Sequence, residues 1–474
     1  MGNNFKLLLH VLAAFAACNL QLSVGSAQSG SFSLLTITNP PQATNAGFGI
    51  AVAPLGSDRF LVGAPFNKLD GTNVGAVYLY NSMGTLLATI TNPAPSQDDK
   101  FGMAVASVGL DCLVVGAYTD DAGALDTGVA YLFNTNGTLM TTFTNPTPAI
   151  FEYFGYSVAS VGSEMVVIGA YNAQVGSINP GAAYLFRTNG VLLATFSDPH
   201  SFSTITPGDC FGWAVVGVGI DRVLVGARQG EESLANAGAA YLFRTDGTLI
   251  KAIANPAPAA LDWFGSAVAT VGSDRLLIGA EGDGTGAMRA GSAYLFNTNG
   301  TLLTVFTNPT PVANEYFGYS VAAFGTDQLL IGAYCDSGPG TAVRGEAYLY
   351  GTDGKLTMTI TNPTPAAFDF FGYSFAALGT NQFVVGANCS EVYLYTREIP
   401  TSDPPRLNIY HTITNTIAIT WPSSATNWIL QESADCMTAE SWTNTVGVIQ
   451  DNGPTKTLLI ETLSRSRFFR MFKP

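Results

Sequence analysis

The stretch Phe154-Gly155-Tyr156-Ser157-Val158-Ala159-Ser160-Val161-Gly162, carried on to Asp198-Pro199, holds one complete structural unit. Its first segment is apolar or small throughout, as a crowded inner strand should be. Met165-Val166-Val167-Ile168-Gly169-Ala170 is a short apolar run, which suits a strand buried on both faces. Ala182 to Phe186 is a third strand, with large aromatics where the unit broadens. Asn189-Gly190 is a two-residue hairpin signal, and Val191 to Phe196 alternates outward as a fourth strand. Asp198-Pro199 ends it, because Pro has no N–H for a central ladder. Four antiparallel strands in one unit read as a propeller blade.

The unit recurs seven times. Phe-Gly pairs stand at Phe48-Gly49, Phe101-Gly102, Phe154-Gly155, Phe211-Gly212, Phe264-Gly265, Phe317-Gly318 and Phe371-Gly372, spaced by 53, 53, 57, 53, 53 and 54 residues. Each is followed by Gly-Ala and then by an aromatic strand such as Tyr78-Leu79-Tyr80. A period near 50 marks a repeat array whose units bury their apolar faces against neighbours. The seventh unit keeps Gly386-Ala387 and Tyr393-Leu394-Tyr395 but has no fourth strand after them. The missing piece lies at the other end of the chain, where Phe32 to Pro40 matches Gly84 to Pro93 almost residue for residue. An N-terminal strand that completes the last blade closes the ring and removes its open edges. The expected fold is all-β: a seven-bladed β-propeller over residues 32–397, closed by its N-terminal strand.

Phe-Gly, Gly-Ala and an aromatic strand at this period resemble the FG-GAP repeat of integrin α-subunit propellers and related bacterial secreted proteins. Gly63-Ala64-Pro65 is the sole complete Gly-Ala-Pro element. The resemblance implies a secreted adhesion protein, and in many relatives a calcium loop, Asp-x-Asp-x-Asp-Gly-x-x-Asp, between the first two strands. Here that connection is a short turn with one carboxylate, as in Gly56-Ser57-Asp58-Arg59, too few oxygens for a calcium cage. Asp58, Asp111, Asp221, Asp274 and Asp327 read as turn residues bonding their own backbone. No cofactor is expected, although calcium is not excluded.

Only 11% of the residues are charged, and 51 Gly with 24 Pro fit short strands and tight turns better than helices. A net charge of -14 with no basic face in the repeats argues against nucleic acid as a partner. Residues 1–27 read as a signal peptide: Lys6, an apolar core from Leu7 to Ala17, and small residues Gly25-Ser26-Ala27 before the cut. Lipidation of Cys18 is a minor alternative, and no later apolar run is long enough to cross a bilayer as a helix. The protein is expected outside the cell or on its surface. Cys112, Cys210, Cys335, Cys389 and Cys436 remain, an odd number, and read as unpaired and mostly buried thiols.

An acidic residue stands two positions before Phe in six units: Asp99, Glu152, Asp209, Asp262, Glu315 and Asp369. Either these form a ring of carboxylates at one mouth of the channel, or each accepts backbone N–H bonds where its blade begins; the regular recurrence favours architecture. Function is expected where the blades differ. The loops after Gly-Ala and after Asn-Pro open on one face and carry the variable material, including the long His200 to Cys210 connection. Candidate ligand-binding residues on this face are Asp120, Asp121, Tyr153, Glu231, Glu232, Trp263 and Tyr316.

Residues 398–405 read as a Pro-rich linker, and residues 406–474 as a small β-sandwich-like module with Trp421, Trp428 and Trp442. Its tail, Arg465 to Lys473, is basic and aromatic, and reads as a last strand or as an attachment signal. No His-Glu-x-x-His, Gly-x-Ser-x-Gly or phosphate-cradling Gly-Lys-Ser/Thr motif occurs. The expected function is therefore a secreted, non-catalytic binding or adhesion protein for a protein or glycan partner. The alternatives are an extracellular polysaccharide hydrolase or lyase and a structural envelope component.

Overall fold

The computed structural model describes residues 32–40, 46–69, 72–174, 179–199, 208–230, 236–335, 344–365, 368–388, 390–398, 406–411, 416–423, 428–433, 443–445, 447–461 and 468–472. The expected signal peptide, the linker at 399–405, Glu231, Glu232, Cys389, Cys436 and Trp442 fall outside these residues. The chain divides into two units, the second made of Arg397–Pro474 together with the N-terminal Ser31–Ser33.

The first unit is built of seven four-stranded antiparallel sheets. We number them as blades in chain order, blade 1 beginning with Val52–Leu55 and blade 7 with Ser374–Leu378. In each blade the strand after Phe-Gly is innermost, and it packs against the inner strands of both neighbouring blades in a closed circuit. Blade 7 takes its outer strand from the N-terminus: Phe32–Thr38 pairs with Glu391–Arg397. This is a β-propeller, closed as the duplicated segment predicts.

The repeat residues are explained by contacts between blades. Each Phe of the Phe-Gly pair is fully buried and meets the aromatic strand of its own blade; Phe101 lies 6.0 Å from both Tyr131 and Phe133, ring centre to ring centre. Its cluster also takes Leu61, Leu79 and Ile90 from blade 1, so the core lies between blades rather than within one. The glycine of Gly-Ala faces the glycine of the next Phe-Gly. A Cβ on Gly116 would run into the carbonyl oxygen of Gly155, and one on Gly386 into that of Gly49. The same backbone contact thus joins blade 7 to blade 1. Ser374 Oγ donates to Gly49 O at 2.8 Å, and Gln382 Nε2 donates to Ser82 O at 3.1 Å, across that seam.

Outer strands carry a bulge at the same place in blades 1 to 6; in blade 1, Leu79 faces Ala88 while Tyr80 faces Leu86, leaving Leu87 unpaired. A bulge twists an edge away from further pairing, which protects a ring whose outer strands are solvent-facing.

The turns between first and second strands hold no carboxylate cage. Asp58, Asp111, Asp221, Asp274 and Asp327 use their main-chain carbonyls, each accepting an N–H from the hairpin of the same blade, as Asp58 O does from Ser82 N at 2.6 Å. The side chains of Asp58, Asp221 and Asp274 turn to the next-door Arg59, Arg222 and Arg275. In these three turns exposed ion pairs stand where side-chain bonds to the turn's own backbone are expected.

The second unit holds two sheets. One is four-stranded, with Asn408–His411, Thr416–Pro422, Thr455–Glu461 and Ile449–Asp451; the other pairs Ile429–Ser433 with Thr443–Asn444 and Phe468–Phe472. Ile419, Trp421 and Leu458 of the first sheet and Leu430 and Met471 of the second form one apolar cluster, as two facing sheets require. Arg470 in the last strand is half-buried and donates to Gln431 Oε1 at 2.9 and 3.1 Å, so this basic position is a structural one.

Candidate functional site

On the loop-rich face, the connection between second and third strands of one blade bonds to the connection entering the next. Phe151 N donates to Leu125 O at 2.9 Å and Tyr153 N to Asp126 O at 3.2 Å, and Asn314 N donates to Met288 O at 2.9 Å in the corresponding place. The residue just before Phe-Gly sits in the left-handed region in every blade, with Tyr153 at φ 59°, Trp263 at 55° and Tyr316 at 58°. That turn aims the side chain along the face instead of into the blade.

Two other positions converge with it: the residue after Phe-Gly and the residue after Gly-Ala. In blades 2 to 4 they supply Tyr118, Tyr156, Tyr171 and Trp213. Tyr156 lies 4.6 Å from Tyr171 and 4.8 Å from Trp213, and Tyr118 lies 5.4 Å from Tyr156. Tyr153 stacks on Tyr171 at 5.3 Å. Blades 6 and 7 form a second group, with Tyr319 4.2 Å from Tyr334 and 4.8 Å from Tyr373, and Tyr316 stacked on Tyr334 at 5.6 Å. All of these rings are half-buried.

Between the two groups, Arg228 is held between indoles, its guanidinium 4.6 Å from Trp213 and 4.2 Å from Trp263. It pairs with Glu281, only 2% exposed, at 2.8 Å. Arg289 lies 5.2 Å from Trp263. Cation–π contacts of this kind strengthen as water is excluded. Burial pushes Glu281 above the usual carboxylate range while Arg228 pulls it back, so the pair is a fixed structural charge couple. Burial also holds Tyr156, Tyr171, Tyr319 and Tyr334 well above the ordinary phenol range, and they remain neutral hydroxyls at physiological pH. The thiols of Cys210 and Cys335 are pushed up to about 11, so they carry no thiolate at neutral pH. Cys112, Cys210 and Cys335 are free, as expected, but half-buried rather than buried.

Of the sequence candidates, Tyr153, Trp263 and Tyr316 belong to this aromatic mouth. Asp120 does not. It is buried, taking the Tyr131 hydroxyl at 3.0 Å on one oxygen and Ala122 N at 3.0 Å on the other. Asp283 repeats the arrangement in blade 5 with Tyr294 and Thr285, which marks it as loop architecture. Asp121 is exposed and accepts Asp126 N at 2.9 Å. Both line a recess of about 550 Å³ beside Pro93, Tyr131 and Leu139, whose one buried carboxylate, Asp120, is already spent.

The acids before Phe-Gly are not a ring at the channel mouth. Asp99 accepts Asn92 Nδ2 at 2.7 Å and Ser96 N at 2.6 Å, and Glu152, Asp262 and Glu315 repeat both bonds. Each fastens the Asn-Pro that ends one blade to the start of the next. Among the described residues, no group of three or more His, Cys, Asp or Glu is placed to hold a metal ion.

Sequence reading missed Tyr156, Tyr171, Trp213, Arg228, Glu281, Tyr319, Tyr334 and Tyr373 as individual candidates. The signal was the one variable residue directly after an otherwise fixed pair: Ile50, Met103, Tyr156, Trp213, Ser266, Tyr319 and Tyr373 follow Phe-Gly.

A propeller of repeated blades whose shared residues join the blades and whose unshared residues line one mouth defines the class of this molecule. The FG-GAP repeat family model matches residues 85–133, 144–186, 252–296 and 307–350. Each match begins within an outer strand or at one of its ends and runs to the third strand of the next blade. Over these residues the chain carries FG-GAP repeats, and its fold is a β-propeller. Among solved structures it is similar to virginiamycin B lyase from Staphylococcus aureus, at 12% identity and a TM-score of 0.55, covering 77% of this chain and 99% of that one. It is also similar to the WD40 β-propeller domain of Doa1, at 13% identity and a TM-score of 0.50, covering 78% and 98%. These likenesses concern the fold alone. No curated protein matches the sequence.

Proposed function

We propose that this is an exported, non-catalytic binding protein that engages a protein or glycan partner through the loop-rich face of its propeller. The observation that carries the reading is the convergence of the variable positions. Tyr118, Tyr156, Tyr171, Trp213, Tyr319, Tyr334 and Tyr373 meet at one mouth around the Arg228–Glu281 pair. Tyr, Trp and Arg grouped at the centre of a surface are the residues that dominate binding energy at interfaces. Rigid strands beneath them limit the ordering cost of binding. The chemistry favours recognition over reaction: the phenols stay protonated, Glu281 is neutralised by Arg228, and both Asp120 oxygens are engaged.

The test is an array of glycans and extracellular matrix proteins probed with the intact mature chain, alongside a Phe151→Ser/Phe368→Ser variant. Both side chains are exposed on this face, so the variant keeps the wild-type melting temperature. A hit lost in the variant supports the reading. A hit retained by the variant but abolished by changes on the opposite face, at Leu110 or Ile220, removes it.

A further inference from the structure

The sector of the loop-rich face that runs across blades 5 to 7 combines two features. The first is positive charge. The chain has 34 acidic and 20 basic residues, yet here Arg289 and Arg344 occupy equivalent places on the loops of adjacent blades. The Arg289 carbonyl accepts Tyr316 N at 3.1 Å and the Arg344 carbonyl accepts Phe371 N at 2.9 Å. Among the described residues neither guanidinium has a carboxylate partner, and Arg289 rests only against Trp263. Among the described residues, the acids of this sector are engaged inside it. Glu281 holds Arg228, Asp283 holds the Tyr294 hydroxyl and Thr285 N, Glu315 holds Asn308 and Val312 N, and Asp369 holds Asn362.

The second feature is bulky apolar surface beside that charge. Met288 is 65% exposed, Val312 54% and Phe368 66%. Phe368 leads inward through Phe370 at 6.2 Å to Tyr334 at 5.7 Å, so an exposed ring continues into the packed mouth. Large apolar side chains mixed with Arg and Tyr are the composition of a protein–protein contact. A polysaccharide offers little that would cover Met288 and Val312.

We infer that this sector docks an acidic polypeptide segment that carries bulky apolar side chains, its carboxylates pairing with Arg289 and Arg344. The inference rests on the binding role proposed above and narrows the partner to a protein. Arginines without a carboxylate partner select for complementary charge and disfavour basic partners. The apolar side chains supply the buried area, and Tyr316 and Phe368 frame the contact.

The intact mature chain, immobilised, is panned with a random twelve-residue displayed peptide library, and polygalacturonate is tested on the same surface as an anionic glycan probe. The expected result is enrichment of peptides with Asp or Glu next to Phe, Leu or Trp. Their affinity should fall about tenfold or more in Arg289→Glu/Arg344→Glu, and fall with added salt. Phe368→Ser should weaken the same peptides while leaving the melting temperature unchanged. Selected peptides without acidic enrichment, indifferent to the arginine changes but lost in Phe151→Ser, would overturn this sector and leave loop-face binding standing. Polygalacturonate binding without peptide binding would likewise overturn the protein partner alone. No binding of either probe at any concentration, in a folded chain, would overturn both.

Discussion

At Gly116 and Gly155 the whole repeat is reduced to a steric fact. The two backbones approach so closely that neither residue has room for a Cβ, and the same approach recurs at every blade junction. Overpacking backbone against backbone leaves no rotamer to yield. Gly155→Ala should therefore cost about 3 kcal/mol or more, in part because Gly155 also has φ 90°. Gly247→Ala, at φ 92° but with nothing within 4 Å, should cost only about 1 kcal/mol. Chemical denaturation of the two variants makes the comparison, and equal losses would contradict it. Asp99 gives a pH test. Burial, reinforced by nearby Asp120, raises its carboxyl to about 6 against the opposing bonds from Ser96 and Asn92. A raised carboxyl binds its proton more tightly in the folded state, so its stabilising contribution is complete below about pH 4 and is lost as pH rises through 6. Asp99→Asn keeps an oxygen for both donors and cannot titrate. The stability of the wild type relative to this variant should decline between pH 4 and 7, measured by denaturant midpoint. A flat difference would show that Asp99 does not carry the effect.

Among the elements, the strand Phe32–Thr38 matters most, because it belongs to a blade whose other strands begin some 340 residues later. Ile37 is buried in the same cluster as Phe60, Tyr80 and Leu394, with Leu35 packed against it. Ile37→Asp should destabilise by about 3 kcal/mol or more, since it buries an unpaired charge at the seam. Thr38→Asp, exposed in the same strand, should change stability by less than about 0.5 kcal/mol. Thermal melts of both variants decide whether this strand closes the ring. Its role was legible in sequence because Leu35, Ile37 and Asn39 copy Leu87, Ile90 and Asn92 closely enough to betray a displaced fourth strand. The inner strands were equally legible, since crowding around an axis selects small and apolar residues. The mouth was less so. Tyr156 and Trp213 look like core aromatics in sequence, and only the ring geometry turns the residue after Phe-Gly toward the axis. Asp120 misled for the opposite reason: an acidic pair in a variable loop looks solvent-facing, but Tyr131 draws its first member inside.

For the molecule as a whole, conserved architecture and variable surface are separated in space. Phe-Gly, Gly-Ala and the Asn-Pro-to-acid bonds hold blade to blade, while the mouth gathers what differs among blades. The two faces also differ in how exposed apolar residues are used. On the turn face, Leu110 and Ile220 stand singly, Ile220 at 75% exposure. On the loop face, Phe151 and Phe368 each connect by ring contacts to the central tyrosines. The contrast makes the loop face the expected binding surface, and its partner the most direct test. Partner capture should be quantified by surface plasmon resonance with the intact chain, Phe151→Ser/Phe368→Ser, and Leu110→Ser/Ile220→Ser, all confirmed folded. The account predicts that affinity for the captured partner falls at least about tenfold in the loop-face variant and stays within about twofold of wild type in the turn-face variant. Loss of binding in the turn-face variant alone would contradict it.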